Sequence, residues 1–271
     1  MQPSKLKIGI VGMGTVGRAM AQALDKGEIA ACLTAVHSRT ETTARRFLST
    51  LNHVPPLVDL QTLVAQSDLV VEAAGQTALR EITPVTFAAG KDLMMISVGA
   101  LLDHPEWADL AAQQGCKLYV PSGAIVGLDG VKGASMGDIE SVTITTRKPP
   151  EGLAGAPYVV AQGIDVFAFR DETLIFEGCA REACKGFPAN VNVSAALSLA
   201  GIGADATHMR IFVVPDGTCN MHDIEVVGEF GRMTTHIENV PSDTNPRTGK
   251  LTYLSAMAML RDMTRAVHYG T

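Results

Sequence analysis

Over the first 120 residues, short apolar runs alternate with stretches whose apolar positions recur at helical spacing. The runs Lys7–Val11, Leu33–His37, Leu69–Glu72, Leu93–Ser97 and Lys117–Val120 are continuous rather than alternating, as strands covered on both faces must be. Between them, Val16–Leu24, Glu41–Leu51, Ala78–Ala89 and Pro105–Gln114 predict helices. Strand and helix repeated in this order imply parallel pairing through right-handed crossovers, and so a doubly wound α/β sheet.

After Val120 the pattern changes. Ile139–Thr146 reads I-E-S-V-T-I-T-T, with Ile139, Val142 and Ile144 set among polar residues. Ile211–Val214, Asp223–Val227 and Arg232–Glu238 follow, punctuated by Pro215-Asp216-Gly217 and Gly228. These predict a mixed or antiparallel sheet with one wet face, carrying a helix at Asn192–Ala200. The last stretch, Leu251–His268, has Ala256, Met259, Leu260, Met263 and Val267 on one stripe and predicts a helix returning to the first domain. The expected division is residues 1–122 plus 246–271 for the α/β domain and 123–245 for a second, α+β domain.

Composition narrows the classes. The chain has 271 residues, 46% apolar and only 18% charged, which excludes global disorder. With 22 Lys+Arg against 28 Asp+Glu the net charge is −6, unlike a nucleic-acid binder, which needs a basic face. No apolar run approaches the ~18 residues of a membrane span. Four glycines and Arg18 interrupt the apolar N-terminal stretch, so a signal peptide is not expected. Five scattered cysteines without a CxxC pair suggest reduced thiols in a cytoplasmic protein and no metal site.

The strongest local signal is Gly12-Met13-Gly14-Thr15-Val16-Gly17, directly after a strand and opening a helix. There the first glycine permits a tight turn and the second lets the backbone approach a pyrophosphate. The third lets helix and strand pack closely, while the helix N-terminus supplies amide donors. In that position the motif marks a Rossmann-type dinucleotide site. About 20 residues on, an acid usually meets the ribose 2′-hydroxyl. Here the residues are His37-Ser38-Arg39-Thr40. A hydroxyl beside a guanidinium suits a 2′-phosphate, so Ser38 and Arg39 point to NADP as well as NAD. Ala74 and Gly75, after the third strand, are small residues where a planar cofactor would lie; Ser97-Val98-Gly99-Ala100 is a similar strand end.

The second half holds the groups for reaction chemistry. His222 sits in Thr218-Cys219-Asn220-Met221-His222-Asp223 at the mouth of a predicted strand, a position that alone more often holds a surface or satisfied histidine than a catalyst. Lys185-Gly186-Phe187-Pro188-Ala189-Asn190 joins a cation, a rigid turn and an amide, and Asn245-Pro246-Arg247-Thr248 a cation and a hydroxyl.

Taken with Gly9–Gly12 and Val120-Pro121-Ser122-Gly123-Ala124, the segments Lys185–Val193, Thr218–Ile224 and Pro241–Thr248 resemble the L-aspartate dehydrogenase family over essentially the whole chain. The Pro-Ser-Gly-Ala and Phe-Pro-Ala-Asn-Val-Asn-Val segments are far more specific than the glycine motif. The resemblance implies a homodimer that oxidises L-aspartate to iminoaspartate, or to oxaloacetate plus ammonia, and that could feed nicotinamide-ring synthesis. It carries the catalytic histidine onto His222 and the nicotinamide-side contacts onto Ala124 and Asn190. Lys185 and the Asn245–Thr248 turn become the expected partners of two substrate carboxylates, with Ser122 and Asn192 beside them. Family members often have an acid where this chain has His37-Ser38-Arg39, so strict NAD preference is not expected. The enzymatic rivals are homoserine dehydrogenase and dihydrodipicolinate reductase. A catalytically silent NADP(H) sensor would need neither the histidine nor the carboxylate clamp.

Overall fold

The computed structural model describes residues 5–188, 192–242 and 245–270, the side chains of Pro246 and Arg247 excepted. The chain divides into two compact units, Met1–Pro121 with Tyr253–Tyr269, and Ser122–Thr252 with Gly270–Thr271.

In the first unit, strands β1 (Leu6–Val11), β2 (Ala31–His37), β3 (Leu69–Glu72), β4 (Asp92–Met95) and β5 (Leu118–Tyr119) form one sheet in the order β2-β1-β3-β4-β5. Every pairing is parallel. Helices α1 (Thr15–Asp25), α2 (Glu41–Leu48), α3 (Leu60–Ala65), α4 (Gln76–Ala88), α5 (Ala100–Asp103) and α6 (Glu106–Gln113) connect them. Both faces are covered. Ile8, Ile10, Leu69 and Val71 pack on one side with Met20 and Leu24, while Val11, Val70, Leu93 and Met95 pack on the other with Leu63, Leu79 and Trp107. Chain order reverses between β1 and β3, and ligands of such sheets bind outside the strand ends at this point. Two segments fill it: the Gly12–Gly17 turn after β1 and the Ala73–Gly75 turn after β3.

The second unit is built on β6 (Ile139–Lys148), β7 (Thr173–Cys179), β8 (His208–Val213), β9 (Asn220–Gly228) and β10 (Gly231–Asn239), in the order β10-β9-β6-β8-β7. Only β6 and β8 run parallel. Strands β11 (Pro241–Ser242) and β12 (Asn245–Gly249) make a separate hairpin. Helices α7 (Leu128–Ala134), α8 (Pro150–Leu153), α9 (Pro157–Ala161), α10 (Ala180–Gly186) and α11 (Asn192–Ala200) complete the unit, and α12 (Lys250–Met263) follows. Alternation divides the sheet into two faces. Val142, Ile144, Met209, Ile211, Val213, Ile224 and Val226 share a core with Phe187 and Leu197. Asp223, Glu225 and His236 lie on the opposite face with Thr143 and Thr145.

Several boundaries expected from the sequence need correction. The C-terminal helix stops at Met263, because Thr264 turns its hydroxyl onto the Arg261 carbonyl at 2.9 Å, and Val267 lies beyond the helix and exposed. Ala256 and Leu260 do join the core of the first unit. The helix from Glu41 ends at Leu48, not Leu51. Strand β6 continues two residues past Thr146 to Lys148, and β7 was not foreseen because its apolar run, Leu174-Ile175-Phe176, is so short.

Candidate active site

Steric room around the three motif glycines of the first unit shows what each does. A Cβ on Gly12, whose φ is +101°, would fall 2.4 Å from the Ala73 carbonyl oxygen. One on Gly17 would fall 2.0 Å from the Gly12 carbonyl oxygen, so α1 could not pack against the strand end. Around Gly14 nothing lies within 4 Å, leaving the backbone open on that side at the N-terminus of α1. Two crowded glycines flanking an open one, with helix amides beyond, fit a dinucleotide pyrophosphate. Gly12 N–H donates to the His37 carbonyl at 2.8 Å, tying the turn to the end of β2. Arg18 Nε donates to the Met13 carbonyl at 2.9 Å.

Ser38 and Arg39 follow β2 directly, Ser38 half-buried and Arg39 exposed. His37, by contrast, is held by the main chain, its Nδ1 lying 2.8 Å from the Val58 carbonyl.

The Ala74–Gly75 turn is organised by a residue whose role was not legible in the sequence. Glu72, fully buried at the end of β3, accepts from Ala74 N–H at 2.8 Å and Gly75 N–H at 2.7 Å through Oε1. The same carboxylate accepts from Ser97 N–H and Ser97 Oγ–H, each at 3.0 Å. One side chain thus fixes the turns after β3 and after β4. An acid ending an otherwise apolar strand is visible in the sequence, but the partners that give it its role are not.

In the second unit the polar end of the covered sheet face forms a cluster. His222, 3% exposed, stands opposite Thr146 in the β6–β9 register, and its Nδ1 lies 3.0 Å from Thr146 Oγ1. Lys148 and Asn220, both buried, follow on the same face. Burial, helped by the field of Lys148 and opposed by Asp223, pulls the His222 pKa down to about 3. Burial also lowers Lys148 to about 8. His222 is therefore neutral at pH 7, and if Nδ1–H donates to Thr146, Nε2 carries the free lone pair. Neighbouring Asp223 faces the other way, paired with Arg147 and with His236, whose Nδ1 is 2.6 Å from Asp223 Oδ1.

Ala124 is tied to this end through Asn239. Asn239, opposite Asn220 on β10, donates through Nδ2 to the Ala124 carbonyl at 2.8 Å. That bond holds the Ser122–Ala124 turn, where Gly123 takes φ +67° and a Cβ on it would lie 3.8 Å from Val193, beside Asn192 at the start of α11. Asn239 also borders Gly249 at the end of the β11–β12 hairpin. In that hairpin Asn245 Nδ2 donates to Thr248 Oγ1 at 3.2 Å and Asn245 N–H to Ser242 Oγ at 3.1 Å. Lys185 is different: it is exposed near the end of α10, and its field reaches Asp205, which Arg181 already holds below the usual carboxylate range. Asn190 lies outside the described residues. Thr146, Lys148 and Asn239 were missed, although continuing the period of two from Val142 and Ile144 lands on the first two.

A parallel α/β unit with a dinucleotide turn, joined in one chain to a unit with a buried neutral histidine, defines a pyridine-nucleotide dehydrogenase. The comparisons agree. Residues 12–121 match the homoserine dehydrogenase NAD-binding domain model, and residues 129–263 the aspartate dehydrogenase C-terminal model. The chain is 47% identical over 270 residues to the L-aspartate dehydrogenase of Methanosarcina mazei, covering 98% of this chain and 100% of that one. It is 44% identical to that of Bradyrhizobium diazoefficiens, covering 99% and 95%. This chain belongs to the L-aspartate dehydrogenase family. Among solved structures, aspartate dehydrogenase of Thermotoga maritima shares the fold, with TM-score 0.73 and 23% identity, covering 98% and 99% of the two chains. A homoserine dehydrogenase from Thiobacillus denitrificans is more distant, at TM-score 0.63 and 14% identity over 97% and 74%. Among the described residues no helix is long and apolar enough to cross a membrane, and no three His, Cys, Asp or Glu side chains could share a metal.

Proposed function

We propose that the protein oxidises L-aspartate to iminoaspartate, with hydrolysis to oxaloacetate and ammonia, using NAD or NADP. The observation that carries this is the buried, neutral His222 with Nδ1 engaged by Thr146. The cofactor supplies the hydride acceptor, which the turn Gly12, Met13, Gly14, Thr15, Val16 and Gly17, the Ala74–Gly75 turn, Ala124 and Asn190 would hold. Hydride leaves Cα only when the amine is unprotonated, so a base is required, and His222 takes the ammonium proton. In an alternative role it instead activates the water that attacks the imine, and in the reverse direction it returns the proton. Ser122, Asn192, Asn245 and Thr248 would line the substrate, with Lys185, exposed near the end of α10, as the remaining cation expected from the sequence.

The family resemblance extends this reading to a cytoplasmic homodimer whose product feeds nicotinamide-ring synthesis. Sedimentation velocity tests the dimer. Activity is tested by following reduced nicotinamide with a panel of amino acids. L-Aspartate should exceed L-alanine, L-asparagine and L-glutamate in kcat/KM by about two orders of magnitude or more, since a site built for two carboxylates is left with unmet polar groups otherwise. Comparable turnover of L-homoserine would reassign the substrate.

A further inference from the structure

The covered face of the second sheet is apolar over most of its length and polar at one end. On β6 the row runs Val142, Ile144, Thr146, Lys148, and on β9 Val226, Ile224, His222, Asn220. Among the described residues of this unit, Lys148 is the sole charged side chain in the buried set. Taking an ammonium out of water is costly, and such lysines are concentrated where a site needs the charge. Lys148 and Asn220 both lie beside Gly152, since a methyl built there would sit 3.7 Å from Lys148 Cβ and 3.8 Å from Asn220 Oδ1. Because Thr146 stands opposite His222, Lys148 is the diagonal neighbour of His222, about 7–8 Å away by ordinary sheet geometry and well within the reach of a lysine arm.

We propose that Lys148 is a substrate-binding residue, the buried cation beside His222 that receives one carboxylate of a dicarboxylate amino acid. This rests on the reading of the protein as an oxidant of such a substrate. Both side chains are buried at the same strand ends. A histidine held near pKa 3 is a feeble base for an ammonium, and the field of Lys148 is one reason it is held there. A carboxylate alongside Lys148 offsets that field and adds negative charge, so His222 gains basicity once the substrate is in place. No group on the neighbouring strand replaces this effect: Ile237 stands opposite His222 on β10, while His236 and Glu238 join Asp223 on the outer face. Glu151 on α8 is exposed. A monocarboxylate that placed no carboxylate beside Lys148 would lose kcat as well as affinity, so Lys148 discriminates at the chemical step.

The test is an NMR titration of the His222 ring in the full chain with reduced nicotinamide cofactor, using succinate, a dicarboxylate without an amine, as the probe. In the wild type, succinate should raise the His222 midpoint by about one pH unit or more. Lys148→Gln should raise that midpoint without succinate, suppress the further shift, and weaken succinate binding by about tenfold or more. Lys148→Arg should keep most of the affinity. A folded Lys148→Gln protein that binds succinate as the wild type does would overturn the assignment. So would a wild-type His222 that succinate leaves unmoved, a result that does not depend on any variant folding. Aspartate oxidation without a succinate response removes Lys148 and leaves the functional reading standing; a succinate response without aspartate oxidation does the reverse.

Discussion

Thr146 Oγ1 and His222 Nδ1 lie 3.0 Å apart on adjacent strands, both side chains buried. The contact fixes the imidazole plane and, with Nδ1–H as donor, leaves Nε2 unprotonated for chemistry. Thr146→Val keeps the shape of the side chain and removes the acceptor. It should lower kcat by about tenfold through a mixed tautomer population while leaving cofactor affinity within error. Steady-state kinetics beside cofactor titration separates the two effects.

Glu72 accepts four hydrogen bonds, from Ala74, Gly75 and twice from Ser97, without exposure to water. A glutamine side chain in its place would present amide N–H groups to backbone donors. Glu72→Gln should therefore cost about 2 kcal/mol or more of stability and weaken cofactor binding, with an intact second unit. Thermal unfolding with and without cofactor reads both.

Arg39, exposed directly after β2, is the group expected to read a 2′-phosphate. Arg39→Ala should weaken NADP(H) by about tenfold and leave NAD(H) nearly unchanged. Added salt should erode NADP(H) binding more than NAD(H) binding, because the contact is open to solvent. Equal losses for both cofactors would place the phosphate elsewhere.

Two histidines link stability to pH with opposite signs. His222 is buried neutral, its folded pKa drawn from 6.5 to about 3. In that window the unfolded chain binds a proton the native state refuses, so stability falls as pH drops, by about 1.4 kcal/mol per unit at most. His236, raised by its hydrogen bonds to Asp223 and Glu238, contributes stability that is present below 6.5 and fades as pH rises through its raised pKa. The melting temperature of His222→Gln should thus fall less than that of the wild type between pH 6 and about pH 4; parallel profiles would mean that His222 titrates normally.

The strands of the first sheet were legible to within two residues because burial on both faces demands continuous apolar runs, and the glycine turn because steric room dictates each glycine. The second sheet was harder. Its strands bury alternate residues only, and β7 offers three apolar residues in a row before turning polar. Lys148 was overlooked because a lysine after two threonines and an arginine looks like a strand that has ended, whereas β6 carries it inward. Glu72, Thr146 and Asn239 act through partners 25, 76 and 115 residues away, at separations no local pattern encodes.

The role of His222 as proton acceptor in aspartate oxidation stands or falls with His222→Ala. With L-aspartate as substrate, kcat should drop by about 10²-fold or more, as expected for loss of a general base, while cofactor affinity stays nearly constant. A His222→Ala enzyme turning over L-aspartate within a few-fold of the wild type would remove His222 from the proton-transfer step.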